Sequence, residues 1–149
     1  MSDEWRVRVA ELAQAAQAAA AEGDYPRATD GVQEALEVIE AEGSAQDVVF
    51  AIMLLVAADI ALATGAHDSA ASLYERVAWV CDTIETDADA GDLNPIRARA
   101  LLGMGRSVAP TDPAAARGHY EACLALLAAS PEPTPESVLA TVRAELTAL

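Results

Sequence analysis

Apolar residues crowd most densely in one stretch near the middle of the chain, from Val48 to Ala63, in which Asp59 is the only charged residue. At the helical spacing of about 100° per residue, the bulky side chains of this stretch point to every side instead of forming one stripe. A helix that is apolar on all sides must be covered on all sides. The pattern therefore predicts a central helix around which the rest of the chain packs.

Amphipathic segments precede and follow this stretch, and capping residues separate them. Asp24 stands two residues before Pro26, and Asp112 directly precedes Pro113, an order typical of a helix N-cap with a proline in the first turn. No run of alternating β-branched residues predicts a strand. We therefore predict an all-α fold of seven helices, over about residues 2–22, 24–43, 48–65, 67–84, 94–108, 112–130 and 134–149.

Other helix ends are marked by glycine and by small polar residues. Gly23 and Gly65 each follow an apolar pattern, at the position where a helix C-terminus favours glycine. Ser44 and Asp47 form an approximate capping box before the central helix, and Asn94 is the predicted N-cap of the fifth helix.

A formal charge of −15 narrows the classes of partner. It arises from 24 acidic residues against nine arginines, since the sequence contains no lysine. We expect no nucleic-acid partner, because phosphate binding needs a basic stripe, and the same charge disfavours anionic membrane surfaces. The central stretch would span only about 24 Å, less than the roughly 30 Å hydrocarbon core of a membrane. Because the N-terminal residues contain no basic segment followed by an apolar run, we expect a cytoplasmic protein.

The cysteines, and the patterns that are similar to metal-ligand motifs, are better explained as ordinary structural residues than as reactive or metal-binding groups. Cys81 and Cys123 lie among apolar residues of predicted helices, which favours buried thiols over a disulfide. His119 and Cys123 have a spacing that can offer two metal ligands, but no second pair stands nearby. The acidic linker from Asp87 to Asp92 is similar to a calcium loop but lacks its bidentate glutamate. We predict no metal site and no cofactor.

A pattern repeats in the second, fourth and sixth helices. Each has an alanine near its start and a larger residue four positions later, as Ala28 with Val32, Ala70 with Tyr74, and Ala116 with Tyr120. A small residue lets paired helices cross closely, and the large residue one turn later fills the space beside the crossing.

This pattern, with Gly23-Asp24-Tyr25 before its first alanine, resembles the tetratricopeptide repeat family. The resemblance implies antiparallel helix pairs stacked as a right-handed α-solenoid. It would form a single domain over residues 1–149, with units at about 3–43, 44–86 and 94–130 and a capping helix over 134–149.

The resemblance also implies a concave groove lined by the first helix of each pair. Its residues here would include Ala13, Gln17, Ile52, Leu55, Asp59, Leu62, Leu101 and Val108. Leaving Ile52, Leu55 and Leu62 in water would forgo roughly 1.5 to 3 kcal/mol each. We therefore expect these side chains to be covered by the seventh helix, by a second copy of the chain, or by a ligand.

Asp59 has two interpretations. In the first, it anchors a ligand or acts as an acid or base with a pKa raised by desolvation. In the second, which we favour, it forms a salt link to an arginine of the next pair, such as Arg97, Arg99 or Arg106.

The function that these observations favour is an interaction or scaffold module that holds an apolar helix or peptide segment of a partner protein in the groove. One alternative is a carrier of a small hydrophobic molecule, or a cofactor-independent enzyme that uses Asp59 in the same apolar cavity. Another is self-association, with the groove as the seam of a homodimer. The sequence leaves enzymatic activity undecided and favours its absence.

Overall fold

Seven helices make up the regular structure in a computed structural model that describes residues 4–42, 48–84 and 92–149. Within these ranges no strand occurs, which confirms the all-α class. The helices are α1 (Glu4–Ala21), α2 (Tyr25–Ala41), α3 (Val48–Ala63), α4 (His67–Ile84), α5 (Asn94–Val108), α6 (Pro113–Ala129) and α7 (Glu136–Thr147).

Two of the predicted N-caps form the expected hydrogen bonds. The Asp24 carboxylate accepts a hydrogen bond from the backbone N–H of Arg27 at 3.4 Å, and that of Asp112 accepts one from Ala115 at 3.1 Å. Both carboxylates satisfy N–H groups that have no partner inside the first turn of a helix.

The backbone conformations of the two predicted terminal glycines agree with the prediction, whereas the start of α5 differs from it. Gly23 and Gly65 have φ values of +80° and +84°, the left-handed conformation that glycine adopts at little cost. Asn94 does not cap α5 but is its first residue, and its backbone N–H donates to the carboxylate of Asp92 at 3.0 Å. The predicted start of the first helix at residue 2, the Ser44–Asp47 capping box and residues 87–91 of the acidic linker lie outside the described residues.

Each helix packs against the next helix in the chain, and further contacts join one helix pair to the next. The pairs α1–α2, α3–α4 and α5–α6 are in contact, and α2 with α3 and α4 with α5 join one pair to the next. In addition, α1 contacts α3, α3 contacts α5, and α7 packs on α6. The chain therefore forms a row of helix pairs in which α3 contacts four other helices, α1, α2, α4 and α5.

The repeated positions lie between the helices, as predicted. Ala28, Ala70 and Ala116 are each 0% exposed. The larger residue four positions later, namely Val32, Tyr74 or Tyr120, is also buried. The same residue types therefore occupy the same packing environment in all three even-numbered helices.

Helix α5 approaches two tyrosine rings through glycine. A Cβ atom on Gly103 would lie 2.2 Å from the ring of Tyr74, and one on Gly105 would lie 2.5 Å from the ring of Tyr120. These distances are far below van der Waals contact, so α5 passes between α4 and α6 only because both positions lack a side chain.

Both cysteines are buried thiols that form no disulfide, as the sequence predicts. The Cys123 thiol donates a hydrogen bond to the carbonyl oxygen of Ala98 at 3.3 Å, and burial raises its pKa. In the part of the chain that the structure describes, none of the helices is both long and apolar enough to cross a membrane.

Candidate functional site

Asp59 lies at the centre of the surface formed by the odd-numbered helices. One oxygen of its carboxylate accepts a hydrogen bond from the hydroxyl of Tyr74 at 2.5 Å. The other oxygen contacts the Arg99 guanidinium of α5 at 3.2 Å. Both charged side chains are about half exposed, 51% for Asp59 and 54% for Arg99. The predicted salt link to an arginine of the next pair is thus present, and Arg99 is the partner.

Tyr74 is held in its protonated form. Burial raises the pKa of its hydroxyl, and the hydrogen bond to the Asp59 carboxylate together with the negative charge of that group raises the pKa further. The hydroxyl therefore acts as a hydrogen-bond donor at neutral pH. Because the ring of Tyr74 also packs against Gly103, this one side chain connects α3, α4 and α5.

Two cavities adjoin on this surface and share Asp59 and Ala63. The first, the α1–α3 cavity, has a volume of about 320 Å³. Its walls are mainly alanine and aliphatic side chains, with Gln17 and Tyr25 as polar members, and are formed by Gln17, Ala20, Ala21, Tyr25, Val56, Asp59, Ile60 and Ala63. It is therefore a small, largely apolar recess with a carboxylate on one side.

The second recess, the α3–α5 cavity, is more polar and has a volume of about 290 Å³. Two guanidinium groups stand on its α5 wall, and its lining consists of Asp59, Leu62, Ala63, Tyr74, Arg99, Leu102, Gly103 and Arg106. We call the surface that contains both cavities the odd face, defined by the exposed parts of Gln17, Asp59, Ala63 and Arg99.

Helix α7 contributes an ion pair to the edge of the odd face. The guanidinium of Arg106 donates two hydrogen bonds to the carboxylate of Glu145, at 2.7 and 2.9 Å. These hydrogen bonds raise the pKa of Arg106. The bidentate geometry orients the guanidinium beside the α3–α5 cavity and ties α7 to α5. Both arginines of this cavity are therefore paired with a carboxylate of the chain.

The predicted α3 residues have three different environments. Leu55 is fully buried among residues of α3, α4 and α5, so the expectation that it faces an open groove is wrong. Ile52 is 38% exposed and Leu62 is partly buried on the wall of the α3–α5 cavity. Neighbouring helices of the same chain thus cover Leu55, while Ile52 keeps part of its surface open.

The groove residues predicted on α1 and α5 also lie in different environments. Gln17 lines the α1–α3 cavity, whereas Ala13 is partly buried against the cluster of α1, α2 and α3. Leu101 and Val108 pack into clusters between helices and do not line either cavity.

Instead, α5 lines its cavity with Arg99, Leu102, Gly103 and Arg106. The helix is rotated by about one position from the expected orientation, because Gly103 has to meet the ring of Tyr74. Arg99 and Arg106 are seven residues apart and share one helix face, but Leu101 and Val108 have the same spacing, so spacing alone does not distinguish the two faces.

The histidine and cysteine four residues apart on α6 do not form part of a larger ligand group. Among the residues described, no cluster of three or more histidine, cysteine, aspartate or glutamate side chains could hold a metal ion. Cys123 is buried in the packing between α5, α6 and α7.

Comparison with protein-family models, with curated proteins and with solved structures yields no match to this chain. The similarity to tetratricopeptide repeats therefore stays a prediction that depends on the repeated residues and on their packing.

Proposed function

We propose that the chain is a protein-interaction module that binds an apolar helix or peptide segment of a partner on the odd face. The single observation that carries this proposal is the pair of adjoining cavities on either side of Asp59. A segment that crosses α1, α3 and α5 would insert one apolar side chain into each cavity. The alanines at the rim, Ala20 and Ala63, would let the backbone of the segment approach closely.

The finer arrangement of the helices is part of the same proposal. We propose that the three pairs stack as in tetratricopeptide repeats, in a right-handed α-solenoid that α7 caps. Contacts among α1, α3 and α5 support this arrangement, as does the burial of the repeated alanines in every pair. Under this proposal the odd face is the inner surface of the solenoid.

The charges on the odd face suggest how a partner would be recognised. Asp59 is paired with Arg99, and Arg106 is paired with Glu145, so little net charge remains to attract an ion. Affinity would then come mainly from burial of apolar surface, with the polar groups at the rim fixing the register of the segment.

The size of the cavities favours side chains of a partner over a small hydrophobic molecule. Sites that enclose small molecules occupy about 300 to 1,000 Å³ and bury most of the ligand. Each cavity here is at or below the lower end of that range, at 320 and 290 Å³, and the carboxylate between them is half exposed.

The test requires a substitution that blocks the odd face without affecting the fold. Leu55 is unsuitable, because a change at this buried position would report on folding. Ala63 is exposed and lines both cavities, so Ala63→Arg would fill them with a long charged side chain. The matched control is Ala122→Arg, because Ala122 is an exposed alanine on α6 that lines neither cavity.

Proteins that co-purify from the native cells with wild type, with Ala63→Arg and with Ala122→Arg should be compared by quantitative mass spectrometry. We expect a protein that is retained by wild type and by the control but is reduced about tenfold or more with Ala63→Arg, as for a substitution at the centre of an interface. A photo-crosslinker at position 20 should then attach to an apolar segment of that protein.

Equal recovery of every protein by all three variants would contradict the proposal. Sedimentation velocity gives a separate outcome: a wild-type dimer that Ala63→Arg converts to a monomer would identify the partner as a second copy of the chain.

A further inference from the structure

Trp79 is an exposed residue of α4 that follows the buried Tyr74 by five positions, so the two side chains lie on different sides of the helix. It is 66% exposed, more than any other large apolar side chain among the residues described. Its carbonyl oxygen accepts a hydrogen bond from the hydroxyl of Thr83, which is an ordinary contact within the helix. Its indole ring, in contrast, presents a large apolar surface to water, which is unusual for tryptophan.

Two partly buried aromatic rings, those of Trp5 and Phe50, each have an arginine guanidinium nearby. The Arg6 guanidinium lies 4.7 Å from the centre of the Trp5 ring, and that of Arg76 lies 5.3 Å from the centre of the Phe50 ring. Within the described ranges no arginine lies over Trp79. The chain thus uses arginine–aromatic contacts twice and leaves its most exposed ring without one.

A cavity of about 210 Å³ lies one helical turn from Trp79. It is formed between α2, α3 and α4 and is lined by Leu36, Ile39, Glu40, Phe50, Leu54 and Arg76. Arg76 precedes Trp79 by three residues, which places both on one side of α4. We call this surface the even face, defined by Glu40, Glu75, Arg76 and Trp79.

Acidic side chains of the even face have no internal partner. In the ranges that the structure describes, the carboxylates of Glu37, Glu40 and Glu75 form neither a hydrogen bond nor an ion pair. Glu37 and Glu40 share a side of α2, and Glu75 lies one turn before Trp79 on α4. Arg76 is the only cation that lines the cavity, and its guanidinium is placed over Phe50.

We propose that the even face is a second docking surface that binds a basic segment of a partner protein. An arginine or lysine of this segment stacks on the Trp79 ring, and an adjacent aliphatic side chain enters the cavity beside Phe50. The occupant follows from charge complementarity: Glu75, unpaired among the described residues, lies one turn from Trp79 on α4, the likewise unpaired Glu40 lines the cavity, and the chain carries a net charge of −15. An anionic partner would be repelled by the same groups. With both surfaces in use, the chain joins two partners.

The test uses the ring itself as the reporter. The chain has two tryptophans, so Trp5→Phe leaves Trp79 as the single source of indole fluorescence. The probe is a fluorescein-labelled peptide that alternates arginine with leucine, and the comparison peptide has glutamine at each arginine. Affinities are measured by anisotropy at low and at high salt, and the emission of Trp79 is followed in parallel with the unlabelled peptides.

We expect saturable binding of the arginine peptide with a change in Trp79 emission. Trp79→Ala should weaken binding about tenfold, as expected when a central aromatic contact is lost. Glu40→Gln combined with Glu75→Gln should weaken it by about threefold to tenfold and reduce its salt dependence. Glu11→Gln removes a similarly exposed and unpaired charge on α1 and should leave binding within about twofold.

Three results would overturn the proposal. The first is the absence of saturable binding below about 1 mM, the weakest affinity that a specific peptide site would show. The second is equal binding of the arginine and glutamine peptides. The third is a loss that is as large for Glu11→Gln as for the even-face variants, since the peptide would then respond only to overall charge. Ala63→Arg should have no effect here, so this result is separable from the test of the odd face.

Discussion

The odd and even faces differ in whether their carboxylates are paired with arginine. On the odd face each carboxylate beside a cavity is matched by an arginine, as in the pairs Asp59–Arg99 and Glu145–Arg106. On the even face, Glu40 and Glu75 have no such partner among the described residues. The repeated alanines and tyrosines lie between the helices, so the residues on the two exposed faces can differ without changing the packing of the pairs.

The largest expected effect concerns two neighbouring residues of α3. Leu55→Ala should lower the free energy of unfolding by about 2 to 5 kcal/mol, because it removes a fully buried side chain. Ile52→Ala, at a position 38% exposed, should lower it by less than about 1 kcal/mol. Urea denaturation measures both. Similar losses would mean that Ile52 is covered as well as Leu55.

The next effect concerns glycines of two helices. Gly103→Ala should lower the free energy of unfolding by about 1 to 3 kcal/mol, because the new Cβ meets the Tyr74 ring. Gly118→Ala should instead raise it by about 0.5 to 1 kcal/mol, since nothing lies within 4 Å of a Cβ at this position in α6. A neutral Gly103→Ala would show that α5 can move away from α4, which would change the α3–α5 cavity.

A smaller effect distinguishes the two buried tyrosines. Tyr74→Phe removes the hydrogen bond to Asp59 and should lower the free energy of unfolding by about 1 to 1.5 kcal/mol. Tyr120→Phe should change it by less than about 0.5 kcal/mol, because in the described part of the chain the Tyr120 hydroxyl has no hydrogen-bond partner. Thermal and urea unfolding should agree on this order. The reverse order would contradict the conclusion that the Tyr74 hydroxyl stabilises the fold through its hydrogen bond to Asp59.

Alkaline pH tests the same hydroxyl. The pKa of Tyr74 is raised in the folded chain above its value of about 10 in the unfolded chain. The stabilisation it provides is therefore fully present below pH ~10 and is lost as the pH rises above that value. Wild type should lose more stability than Tyr74→Phe between pH ~9.5 and ~11. The variant should retain a residual slope, because burial also raises the pKa of Tyr120. Parallel curves for the two proteins would contradict this assignment.

The smallest effect is the coupling between α5 and α7. A double-mutant cycle of Arg106→Gln and Glu145→Gln should give an interaction free energy of about 0.5 to 1 kcal/mol that decreases with added salt. Both side chains are partly exposed, so solvent screens the pair. A coupling near zero would mean that Val142 and the other apolar contacts hold α7 in place without this ion pair.

Local signals in the sequence determined most of the helix boundaries. The Asp24 and Asp112 caps and the left-handed glycines at 23 and 65 act within one turn of the chain, so their effects do not depend on distant residues. Two helix starts differ from the prediction: the carboxylate that accepts the Asn94 N–H of α5 is two residues earlier, at Asp92, and α7 begins at Glu136 instead of residue 134. The burial of Ala28, Ala70 and Ala116 was also predictable, because the same spacing occurs three times.

Only the tertiary structure decided which side chains reach the candidate site. The apolar composition of α3 predicts that it is covered, but its all-round hydrophobicity cannot indicate which side remains open. That depends on how α4 and α5 are rotated against it. In the structure Gly103 lies against the Tyr74 ring, Leu55 is buried among residues of α3, α4 and α5, and Arg99 pairs with Asp59. Helix formation is a local property of the chain, whereas the face that each helix exposes is fixed by contacts between residues far apart in sequence.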